Sequence, residues 1–394
     1  MKEKKLDIHF RERKLNQLLK WLDTTDKVSS QNKNLIGLFI RKARAFGLSN
    51  ARIVFYLEKL KTLLSYFTTN DLDKLTKEDV EDIITKINEK DYEEWTKNGF
   101  KITLKKFLQI ISGFEWNSKE YPESVKWLKV GIKNNMEELP ENILTPQEIQ
   151  DMIKSANNKR DQAMLSVLWE GGLRVGELCA MKKEDVEFND FGVTIKVSGT
   201  MKGERIIPLI SSAPFLSEWI GMHPNKKNPN AFLWKNFNND KPIGYQTVRM
   251  ILKEVADKCK IVKAVNPHSF RHSSATHYAS KMTEQELKQF FGWRQSSKMA
   301  SVYVHLSSKD LIPTMMKIHG LTPKEEAKDE KGFDIKLCPV CQERNGFSSC
   351  YCRRCGVSLN IDWKRFDERL RKFIDIIEKP EIFSKIMEIK QKKE

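Results

Sequence analysis

The chain has 394 residues, a formal charge of +16 and an apolar content of 40%. That length allows two or three domains with real cores, and no run approaches the ~20 apolar residues of a membrane span. The excess of Lys and Arg is spread along the whole chain, which favours an anionic partner such as nucleic acid over a neutral or acidic one. The first residues, Met1 to Asp7, lack the apolar stretch of a signal peptide, so a cytoplasmic location is expected.

Residues 1–135 read as helix throughout. Leu35, Leu38, Ile40 and Phe46 recur at helical spacing, as do Ile53, Tyr56, Leu57, Leu60, Leu63 and Leu64. Gly47-Leu48-Ser49 between the two runs has the form of a C-terminal glycine followed by an N-cap serine. Thr76 with Asp79 signals a further start. Gly131 to Glu141 is polar and reads as a linker. Thr145-Pro146-Gln147-Glu148 then opens a second region as a capping box with proline in the first turn.

Helices dominate again after it, with one interruption. Gly192–Gly199 and Arg205–Leu209 are β-rich and joined by a turn containing Lys202, which predicts a hairpin; a further strand is expected near Ala231–Trp234. Thr322–Lys331 is a charged connector, and Trp363 to the end reads as amphipathic helix broken at Pro380. The fold class expected is mainly α with a small antiparallel β-sheet.

Six residues in this order carry chemistry: Arg174, Lys202, His268, Arg271, Trp293 and Tyr303. Cleaving a phosphodiester requires a nucleophile, charge on the non-bridging oxygens and a proton for the leaving oxygen. Arginine forks match phosphate oxygens bidentately and stay charged at any working pH, so Arg174 and Arg271 can bracket one phosphate without Mg²⁺. Tyr303 is the candidate nucleophile; a free phenol titrates near ~10, so it needs cationic neighbours or a base. His268 is placed to take or share that proton, and Lys202, at a hairpin tip, to protonate the departing 5′ oxygen. Trp293 offers one indole N–H, which suits a phosphate oxygen. Singly, each has a plainer reading: a surface arginine, a solvated turn lysine, a helix-capping histidine, core aromatics. The ordered set argues against coincidence.

Gly171-Gly-Leu-Arg174-Val-Gly-Glu177-Leu, His268-Ser-Phe-Arg271-His272 and Gly292-Trp293 followed by Val302-Tyr303-Val-His305 together resemble the tyrosine recombinase (integrase) family. The resemblance covers residues 142–310 and extends more faintly into the helical region before them. It implies a core-binding domain over 1–135, a catalytic domain over 142–320, and a reaction through a 3′-phosphotyrosine with no cofactor for catalysis. By position it makes Arg174, His268, Arg271 and Tyr303 catalytic. Trp293 stands where histidine is commoner, and Lys202 lies a position or two later than the family's hairpin lysine. Glu177 matches an acidic residue of the first box that orients its neighbours. The family also implies duplex DNA attachment sites as substrate and a tetramer on paired sites. Gly-Trp, Tyr-Val-His-Leu-Ser and a cysteine-rich tail look most like integrases of archaeal mobile elements, which points to integration and excision. The alternatives are Xer-type chromosome or plasmid resolution, a type IB topoisomerase, and a catalytically silent DNA-binding protein.

Cys338-Pro-Val-Cys341 and Cys352-Arg-Arg-Cys355 are two knuckles ten residues apart. Such thiolates can close one structural tetrahedral Zn²⁺ site, a zinc ribbon over 333–360 followed by a helical tail over 361–394. Cys350 is left over, and Cys179 and Cys259 read as core thiols. For DNA contacts from the first domain the candidates are Arg41, Lys42, Arg44, Arg52, Lys101, Lys105 and Lys106.

Overall fold

The computed structural model describes residues 7–8, 10–67, 71–131, 143–198, 204–238, 241–306 and 335–360. It divides into two compact units, Met1–Met136 and Glu137–Glu394. Lys202, the connector Thr322–Lys331 and the tail from residue 361 lie outside the described residues.

The first unit is built from α1 (Arg11–Thr24), α2 (Ser30–Ala45), α3 (Asn50–Leu63), α4 (Lys77–Glu89), α5 (Glu94–Ile111) and the short α6 (Glu123–Lys126). Its core gathers Ile36, Phe39, Leu60, Leu63, Ile87, Leu104 and Phe107, all 2% exposed or less. Phe39 is edge-on to Tyr56 and Phe107, with ring centroids 5.4 and 5.5 Å away, an arrangement the ring quadrupoles favour. Gly47 ends α2 with φ +80°, a left-handed value that costs glycine nothing. Thr76 and Asp79 exchange hydrogen bonds in a reciprocal cap at the start of α4.

The second unit opens with α7 (Pro146–Ser155), capped by the same exchange between Thr145 and Glu148, then α8 (Lys159–Glu170). Every residue of α8 from Arg160 to Glu170 except Gln162 is buried, so α8 is the axis around which α7, α10 (Ala213–Met222) and α12 (Pro267–Ala279) pack. Its buried carboxylate Glu170 is satisfied by three backbone N–H groups, from Ile210, Ser211 and Ser212 at 2.7, 3.0 and 2.7 Å. Between them run α9 (Val175–Ala180) and an antiparallel sheet of order β1-β2-β3: β1 (Val186–Asn189), β2 (Gly192–Ser198) and β3 (Glu204–Leu209). The hairpin register sets Val193 opposite Leu209 and Ser198 opposite Glu204. Then follow α11 (Tyr245–Lys258), α13 (Glu284–Phe291), α14 (Met299–Leu306) and two short strands, β4 (Lys336–Leu337) and β5 (Arg344–Asn345).

The third strand is a correction to the sequence reading. It lies upstream at Val186–Asn189, and Ala231–Trp234 forms only a single bridge, Phe232 to Lys182. Asn189 explains the upstream choice: its Oδ1 accepts from the N–H groups of Phe191 and Gly192, both at 3.0 Å, a side-chain turn that folds β1 back on β2. Leu233 and Trp234 are instead fully buried. Their apolar run signals core, which needs no ladder. Among the described residues no helix is long and apolar enough to cross a membrane.

Candidate active site

Two glycines shape the turn that carries Arg174. Gly171 and Gly172 end α8, and Gly172 adopts φ +51°; a Cβ there would sit 2.2 Å from Cε1 of Phe291. The turn therefore requires glycine for backbone conformation and for space. It delivers Arg174 to the N-terminus of α9, where Arg174 donates from its backbone N–H to Glu177 Oε2 and from Nη1 to Glu177 Oε1, both at 2.8 Å. Its Nη2 donates to the Gly292 carbonyl at 3.2 Å. Gly292 ends α13 at φ +60°, and a Cβ there would meet Nη1 of Arg205 at 2.6 Å.

Arg271 rises from α12, capped by Asn266. Its side chain is buried, with Nη1 donating to the Gly172 carbonyl and Nη2 to the Phe291 carbonyl at 2.6 Å. Burial, then the neighbouring positive charge of Arg174, push its pKa down to about 9, so it remains cationic at neutral pH. Its guanidinium carbon lies 5.1 Å from the Phe291 ring centre and 5.7 Å from that of Trp293, contacts that favour a desolvated cation.

Glu177 is the anionic counterweight. Burial alone would raise its pKa, but Arg205 first and Arg174 second hold it below the ordinary carboxylate value. Arg205, on β3, closes on it with both amino groups, at 2.8 and 3.0 Å.

Tyr303 on α14 is 3% exposed. Its ring lies parallel to Trp293, 5.6 Å between centroids and 5° between planes, and Trp293 in turn stacks on Phe291 at 4.9 Å. Burial pushes the phenol up to about 12, against the pull of Arg271. The Tyr303 hydroxyl is hydrogen-bonded to Nδ1 of His272. His268, one turn earlier, is exposed, and its backbone N–H donates to the Asn266 side chain at 2.9 Å.

Arg174, Arg271, Trp293 and Tyr303 are thus brought together, and His268 sits at the rim on the same helix. The proton acceptor expected at His268 is not the group on the phenol. His272 and Arg205 are the two residues the sequence reading did not single out. His272 was signalled by its spacing: four residues after His268 on a helix shares its face.

Of the basic residues expected to face DNA, Arg41, Arg44 and Arg52 are exposed. Arg52 lies over the rings of Phe55 and Tyr56, Lys42 pairs with Glu115 at 3.2 Å, and Lys101 is half-buried. Lys105 donates to the Leu128 carbonyl, and Lys106 to Gln109 Oε1 and the Trp116 carbonyl. Burial lowers the pKa of both lysines. As placed, their ammonium groups clamp a loop of their own unit.

The four sulfurs of Cys338, Cys341, Cys352 and Cys355 lie within 4.8 Å of one another, with pairs at 3.4 and 3.6 Å. Bonds of ~2.3 Å at tetrahedral angles place sulfurs about 3.8 Å apart, so the cluster fits one ion of that kind. Cys350 is exposed and outside the cluster. The module rests on α10 through Phe347, 5.5 Å from Phe215.

Residues 142–310 match the phage integrase family. The chain is 29% identical over 277 residues to a tyrosine recombinase of Pseudothermotoga lettingae, across 69% of this chain and 93% of the relative. It is also 29% identical over 168 residues to the tyrosine recombinase XerA of Pyrococcus horikoshii, across 43% and 58%. The fold is similar to that of XerH site-specific recombinase bound to difH substrate, at TM-score 0.53 and 17% identity over 80% of this chain and 97% of that one. A lambda integrase dimer bound to a COC' core site gives TM-score 0.55 at 16% identity over 72% and 78%. Residues 142–310 of this chain therefore form a phage integrase family domain, and the relative matched over 93% of its length is a tyrosine recombinase.

Proposed function

We propose that the chain cuts and rejoins duplex DNA at specific sites through a 3′-phosphotyrosine, integrating and excising a mobile element. The observation that carries this is the clustering of two arginines, an indole and a buried phenol. In this reading Arg174 and Arg271 hold the non-bridging oxygens and Trp293 adds an N–H donor. The Tyr303 oxygen forms a bond to phosphorus as the bond to the 5′ oxygen breaks, and that oxygen takes a proton from Lys202. The phenolic proton passes to a histidine of α12, the helix that carries His268 at the rim. The 5′ hydroxyl of another strand reverses the step, with no nucleotide consumed. The partners are duplex attachment sites held by a tetramer, as in the lambda integrase tetramer bound to a Holliday junction, and the place of action is the cytoplasm.

The finer assignment is an integrase of archaeal type carrying a structural zinc ribbon, supported by the four-cysteine module after the catalytic domain. A second reading, Xer-type resolution, is favoured by the names of several relatives, among them XerC of Halalkalibacterium halodurans.

The test uses nicked duplexes without Mg²⁺, selected from a random pool by the protein's own retention on them through denaturation. A denaturation-resistant adduct is expected from the wild type and none from Tyr303→Phe. Loss of one arginine lowers cleavage ~10²–10³-fold with DNA retention preserved. Strand exchange between two selected sites separates recombination from plain relaxation by a topoisomerase. An adduct that survives Tyr303→Phe overturns the reading.

A further inference from the structure

His272 follows Arg271 on α12, and its Nδ1 meets the Tyr303 hydroxyl. The two rings lie 5.9 Å apart and 38° from parallel. Trp293 lies flat against the tyrosine on another side, and among the described residues His272 is the hydrogen-bond partner of the hydroxyl. Which atom carries the proton follows from the surroundings. The phenol is buried, which favours its neutral O–H form. The imidazole is half-buried with His268 and Arg271 beside it; burial first and these basic neighbours second favour its neutral form too. The phenol therefore donates, Nδ1 accepts, and the ring's own proton sits on Nε2.

We propose that His272 is the general base for Tyr303, a catalytic residue distinct from His268. The assignment rests on the reading of Tyr303 as nucleophile. As the tyrosine oxygen bonds to phosphorus and the bond to the 5′ oxygen breaks, the phenolic proton passes to His272 Nδ1. The departing oxygen takes its proton from a separate acid. The imidazolium so formed sits beside Arg271, a repulsion that favours giving the proton back. It does so when a 5′ hydroxyl attacks the phosphotyrosine and the phenolate leaves. One imidazole thus serves both directions, as microscopic reversibility demands.

The experiment measures single-turnover adduct formation on the selected nicked duplexes with His272→Ala, His272→Gln and Lys202→Ala. Both His272 variants should slow cleavage ~10²–10⁴-fold while retaining duplex. Glutamine can accept a hydrogen bond but cannot take a proton, so it tells a base from a positioning contact. Imidazole added to the buffer should restore part of the rate to His272→Ala alone. A substrate with sulfur at the 5′ bridging position, a better leaving atom, should rescue Lys202→Ala and leave the His272 variants slow. Wild-type rates in His272→Gln, or rescue of the His272 variants by the sulfur substrate, overturn the proposal. If His272→Ala does not fold, His272→Gln with the sulfur substrate still decides it. An adduct from Tyr303→Phe would instead overturn the reading beneath it.

Discussion

Arg205 and Glu177 face each other as a fork on a fork, with both guanidinium amino groups on both carboxylate oxygens at 2.8 and 3.0 Å. The same carboxylate holds Arg174 through its backbone and its side chain. The hairpin strand β3 is thereby tied to the arginine that begins α9. Glu177→Ala would leave Arg205, whose side chain is 14% exposed, without its anion, a loss at or below the about 3–5 kcal/mol of a fully buried pair. Urea unfolding should show that loss, and cleavage should fall further than DNA retention because Arg174 loses its orientation. Glu177→Gln, which keeps the shape, should fall between.

Acidity should weaken the second unit through His272. Its folded pKa lies below the ordinary imidazole value near ~6.5, so the unfolded chain binds the proton more tightly. The stability it contributes is complete above that ordinary value and is lost as pH falls through the folded one. His223, also lowered by burial, adds to the same trend. The fraction due to His272 is the part of the pH-dependent melting that disappears in His272→Gln. An unchanged profile in that variant would contradict the assignment.

One zinc per chain is expected by metal analysis of the purified protein, retained in Cys350→Ser and lost in Cys352→Ser. Chelation should expose residues 335–360 to protease, since a closed thiolate site supplies folding energy directly. Zinc that leaves with Cys350→Ser would show that the ligand set is wrong.

Arg44 and Lys105 should behave oppositely. Arg44 is exposed, and its replacement by Ala should reduce the slope of log affinity against log salt by about 0.9 if it meets a phosphate. Lys105 is committed to the Leu128 carbonyl. Lys105→Met should leave that slope alone and cost the first unit about 1 kcal/mol in thermal unfolding.

The helical plan, the two capping boxes and the β2–β3 hairpin were legible in the sequence because each is a local signal. The site was legible as an order of residues, since glycine pairs, His-x-x-Arg and the tyrosine segment are themselves local. What was hidden depends on which faces meet. His268 and His272 share a helix face, and only the packing of α14 against α12 decides which imidazole reaches Tyr303. Lys105 and Lys106 looked like a basic stripe because nothing local shows the loop from Trp116 to Leu128 folding over them. The strand expected at Ala231–Trp234 failed for a related reason: an apolar run reports burial and leaves open whether a neighbour bonds to its backbone.

Gly172 and Phe291 each lend Arg271 a carbonyl. Folding alone therefore fixes the plane of that guanidinium before any anion arrives. On the proposed reading, an incoming phosphate would meet a cation whose rotamers are already frozen, so the encounter would sacrifice little side-chain freedom at that position. Lysine could supply the charge there, yet with no planar fork it could not share itself between two wall carbonyls and a guest.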